Sequence, residues 1–68
     1  MNVKRNDVIA IMQKRIERSK EYIREFENKI VNEEGDENEL YESIEHEEFI
    51  ILMMENMIRE IKEMKGNE

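Results

Sequence analysis

His46 is the single histidine of this chain, and Glu42 precedes it by four residues. On a helix that spacing puts both on one face, within reach of an i,i+4 pair. Helical di-iron bundles set their glutamate and histidine three apart, and the residue three before His46 is Ser43. A zinc centre would need two more ligands, from Glu25, Glu45 or a second chain. The spacing therefore predicts no metal site and a histidine held by Glu42 in solvent or at an interface. Adjacent carboxylates, Glu33 with Glu34 and Glu47 with Glu48, are the other groups able to move protons. General acid or base work needs a concave site that perturbs a pKa, and with eighteen acids among 68 residues such pairs arise from composition alone. There is no cysteine, no glycine-rich phosphate loop, no nucleophile signature and no zinc-finger spacing. The chain reads as a non-enzymatic protein with no catalytic residue and no cofactor.

Cations are the next candidates. Lys14, Arg15, Arg18 and Arg24 lie close together with Tyr22 among them. Arginines and an aromatic on one helix can hold RNA phosphates and stack on a base. The competing reading is a solvated face whose cations pair with Glu17, Glu21 and Glu25 or with the acidic second half. That second half carries nine carboxylates in residues 33–48, a density that would also suit an acidic mimic of nucleic acid occupying the groove of a DNA-binding protein.

The elements that position these groups follow from the apolar spacing. Isoleucines recur every seven positions at Ile9, Ile16, Ile23 and Ile30, with Met12, Ser19 and Phe26 between them. This 3-4 alternation is a helical seam. Asn6 is the expected N-cap with Asp7 in the first turn, a start at Asn2 being the alternative. Residues 32–38 break the pattern. Gly35 is expected at the left-handed C′ position, and Asp36 with Glu39 forms a capping box for the next helix. Leu40, Ile44, Glu47, Ile51, Met54, Ile58 and Ile61 then repeat the seam, with Lys62 and Lys65 at the C-terminal dipole and Gly66 as the stop. The prediction is an all-α chain, a single helical-hairpin domain over residues 1–68: helix over 6–33, turn over 34–36, helix over 37–65. The short turn makes the helices antiparallel neighbours. Their charges agree with this, since residues 1–32 carry a net +3 and residues 33–68 a net −10. In length and layout the chain resembles the Rop-type acidic αα-hairpins, plasmid-encoded regulators that dimerise and grip paired RNA loops with their first helices. The resemblance is one of length and layout only, rests on no shared residue motif, and assigns no functional residue to this chain.

The second helix has more apolar surface than one partner helix covers. His46, Ile50, Met53, Met57, Glu60 and Met64 form another row beside its seam. Folding about the turn sets side by side residues whose numbers sum to about 70, given equal rise in both arms. Val8 and Ile11 then fall at the same end as Met57 and Met64. Val8, Ile11, Ile50, Met53, Met57 and Met64 are accordingly expected to carry self-association, a dimer forming a four-helix bundle, or to hold a partner protein's helix. Ser19 and Glu47 interrupt the two seams, either as a polar layer that sets register or, the favoured reading, with Glu47 at the seam edge reaching water, Lys20 or Arg24. No continuous apolar stretch follows the basic N-terminal residues, and the longest apolar run, residues 49–54, is too short for a bilayer. A cytoplasmic regulatory or adaptor protein of bacterial or phage type, with no membrane contact, is the resulting expectation.

Overall fold

In the computed structural model, which describes residues 4–64, two helices pack against each other as an antiparallel hairpin. Helix α1 spans Arg5–Val31 and α2 spans Glu37–Glu63, 27 residues each. Equal arms of about 40 Å place Lys4 and Met64, the first and last described residues, at the pole opposite the turn.

The termini differ from the sequence expectation at both ends of α1 and at the end of α2, which stops at Glu63 with Met64 as its C-cap, short of the expected 65. The N-cap of α1 is Lys4, whose backbone carbonyl accepts from Asp7 and Val8 with no side-chain cap, so Asn6 lies inside the first turn. Starting earlier costs little, because Asn6 and Asp7 still bring polar side chains to the positive end of the helix. The alternative start at Asn2 lies outside the described residues, as do Lys65 and Gly66. At the other end of α1 the left-handed C′ residue is Glu33, φ 57°, and not Gly35. Glu34 N–H donates to Lys29 C=O at 2.8 Å and Glu33 N–H to Ile30 C=O at 3.1 Å, the paired bonds of a Schellman ending. Gly35, φ 81°, takes a second positive torsion that reverses the chain. Asp36 then caps α2, its Oδ1 accepting from the N–H groups of Asn38 and Glu39.

Between the arms, Ile9, Ile16 and Ile58 form a core cluster with Met12, Ile51, Met54 and Ile61 packed on it. Every residue of both seams is buried or half-buried, Ile44 included. The core thus follows the 3-4 rows and is one residue deep, as it must be where only two cylinders meet. Among the described residues no helix is long and apolar enough to cross a membrane.

Candidate functional site

At about 100° per residue the hairpin has two flanks. One is polar, its shallow groove lined by Gln13, Glu17, Lys20 and Glu55 beside Ile16 and Ile58. The other receives Val8, Ile11, Arg15 and Phe26 from α1 and His46, Ile50, Met53 and Met57 from α2. A groove lined by Phe26, Ser43, His46 and Glu47 marks the turn end of this second flank.

Of the residues expected to carry self-association, Val8 and Ile50 are half-buried. Ile11 is 66% exposed, Met53 47%, Met57 43% and Met64 61%. Large apolar side chains are thus left open along this flank and toward the pole opposite the turn. Phe49 and Leu52 are also exposed. They continue the apolar surface from Met53 around the outer side of α2, and the run of residues 49–54, which wraps more than a full turn, is the sequence signal for them.

Ser19 and Glu47 overturn the favoured reading of the seam interruptions. Ser19 is completely buried and Glu47 is 9% exposed. Arg15, half-buried, turns inward: its Nη1 donates to Ser19 Oγ at 2.7 Å and lies 3.6 Å from Glu47 Oε1. The latter separation is an ion pair without a formed hydrogen bond, and Glu47 Oε1 is buried with no hydrogen-bond partner among the described residues. Neither Lys20 nor Arg24 takes this role; Lys20 pairs with Glu17 at 3.6 Å. Arg15 wins because it sits one helical turn before Ser19 at the edge of the seam, so its long side chain can cross into the gap that serine leaves.

This inward turn divides the basic stripe. Lys14, Arg18 and Arg24 remain exposed and Tyr22 is half-buried. A side-chain hydrogen bond to Tyr22 is the main cause of a raised Arg18 pKa, with smaller contributions from the charges of Tyr22 and Glu21. Arg15 faces Glu47 of the second helix, so the five residues do not form one open surface. Glu42 and His46 are both exposed, and no hydrogen bond or ion pair joins them among the described residues. Among those residues no group of three histidine or carboxylate side chains is placed to hold a metal ion.

No protein-family model, no curated protein and no solved structure matches this chain. Its surface has to speak for it. The accessible area is 5791 Å², whereas a compact monomer of 8.4 kDa exposes roughly 4,600 Å². The excess, about 1,200 Å², exceeds the roughly 800 Å² that each partner buries in a standard interface. The radius of gyration, 15.8 Å, likewise exceeds the roughly 11 Å of a globule of this length.

Proposed function

We propose that the protein is a non-enzymatic interaction module whose apolar flank pairs with a second copy to make a four-helix bundle, which then serves as a small regulatory or adaptor unit. The observation that carries this is the open row of Ile11, Met53, Met57 and Met64 beside half-buried Val8 and Ile50. Large apolar side chains gathered on one flank, with exposed Glu60 between Met57 and Met64 as the polar break, support reading it as an interaction surface. The area exposed beyond a globule of this mass comes with the elongated 52 × 18 × 15 Å shape and leaves room for an interface of standard size with a second copy. Charge supports it too. The basic first arm of one copy can lie along the acidic second arm of the other, which attracts two molecules that are each net negative.

The test is Met53→Glu with Met57→Glu. Sedimentation of the unaltered protein should give a dimer, and the doubly substituted chain a monomer with weaker helical circular dichroism. A substituted protein that sediments as the same dimer would move the interface off this flank.

A further inference from the structure

The polar layer of Arg15, Ser19 and Glu47 is the least settled part of the interior. A buried carboxylate oxygen lacks a donor, and the nearest guanidinium stands 3.6 Å away, bonded instead to Ser19. Partly satisfied buried networks are costly compared with either a completed network or an apolar filling. Arginine has five N–H donors, and the contacts described for Arg15 run through Nη1 alone. With its side chain 36% exposed, the remaining donors are available on the flank that carries Ile11, Ile50 and Met53.

Height along the hairpin matters as well. Ser19 and Glu47 both fall near the middle of their helices. Two hairpins that overlap along their full length therefore bring their polar layers level whether the turns lie at the same pole or at opposite poles. In a two-fold pair, residue i of one copy meets j of the other and j meets i, so a single contact type is made twice.

We propose that this layer fixes the register of the self-associated protein: the Arg15 guanidinium of each copy bridges its own Glu47 carboxylate and that of the second copy, closing a neutral ring of two cations and two anions. Slipping one hairpin along the other by a turn would break both Arg15–Glu47 contacts between the copies and leave each Arg15 paired only within its own hairpin, which disfavours the slipped register. The apolar flank supplies attraction and the ring supplies alignment. This inference rests on the pairing of two copies through that flank.

A mixing experiment separates the two ideas. Arg15→Glu puts two carboxylates in the layer of one chain, and Glu47→Lys puts two cations in the layer of the other. Native mass spectrometry of the unaltered protein first reports whether it dimerises; a monomer at every concentration defeats the pairing itself. Given a dimer, each substituted chain alone should associate at least ~10-fold more weakly. Their equimolar mixture should form heterodimers at least ~10-fold beyond the statistical share, because only the mixed pair sets opposite charges across the interface. A statistical mixture of dimers overturns the ring while leaving the apolar pairing intact. Should either charge reversal prevent helix formation, Glu47→Gln preserves shape and removes the charge. It should raise the dimer dissociation constant roughly tenfold and flatten its dependence on salt, and an unchanged constant with unchanged salt dependence overturns the ring equally.

Discussion

One residue at the turn holds a conformation that its type does not favour. Glu33 occupies the left-handed region, where a residue with a Cβ pays roughly 1–2 kcal/mol. Its N–H bond to Ile30 C=O, together with the bond from Glu34 to Lys29, holds it there. Glu33→Gly should therefore stabilise the hairpin by about 0.5–1 kcal/mol, visible as a rise in thermal midpoint with unchanged helicity. The sequence pointed to Gly35 for this position because glycine is the usual left-handed residue. That glycine is used two residues later, where its φ of 81° reverses the chain, and nothing in the residue types distinguishes the two sites. Asp36 was legible for the opposite reason: a capping aspartate needs only its own side chain and the next amides. Arg15 was hidden because its role depends on two groups at once, a serine gap on its own helix and a carboxylate on the other, and only tertiary placement brings them together.

At the scale of the element, both helices were readable from the recurrence of isoleucine, because one row of apolar side chains is all that a two-cylinder contact requires. Helix ends were less so. Capping depends on local backbone bonds that compete within a turn, and α1 starts at Arg5 without a side-chain cap. The two faces of α2 should respond differently to truncation. Ile58 belongs to the core cluster, and Ile58→Ala should cost about 2–5 kcal/mol, enough to unfold much of the protein in thermal denaturation monitored by circular dichroism. Leu52 is exposed on the outer side, and Leu52→Ala should change stability by no more than about 0.5 kcal/mol. A large loss at Leu52 would mean that the outer face of α2, and not the flank with Met57, is the one covered. The candidate site was legible as a list of apolar residues beside the seam; Phe49 and Leu52 were missed because they fall outside any single 3-4 row.

For the whole molecule, two helices leave a core one residue deep and a polar layer across its middle. In the proposed pair of hairpins, stability and association would be the same equilibrium seen from two sides. The thermal midpoint should rise with protein concentration, since a partner that binds only the folded hairpin stabilises it by mass action. Melting curves superimposable over a hundredfold dilution would contradict the pairing proposed above.

Equal arms also decide where a reporter can be attached. Lys4 and Met64 emerge at one pole, beside Ile11 and Met57, so a bulky fusion at either end of the described chain crowds the very surface an assay would be watching. The loop of Glu34 and Gly35 sits at the far pole, about 40 Å away by helical rise, and a dye or affinity handle placed there leaves that surface clear.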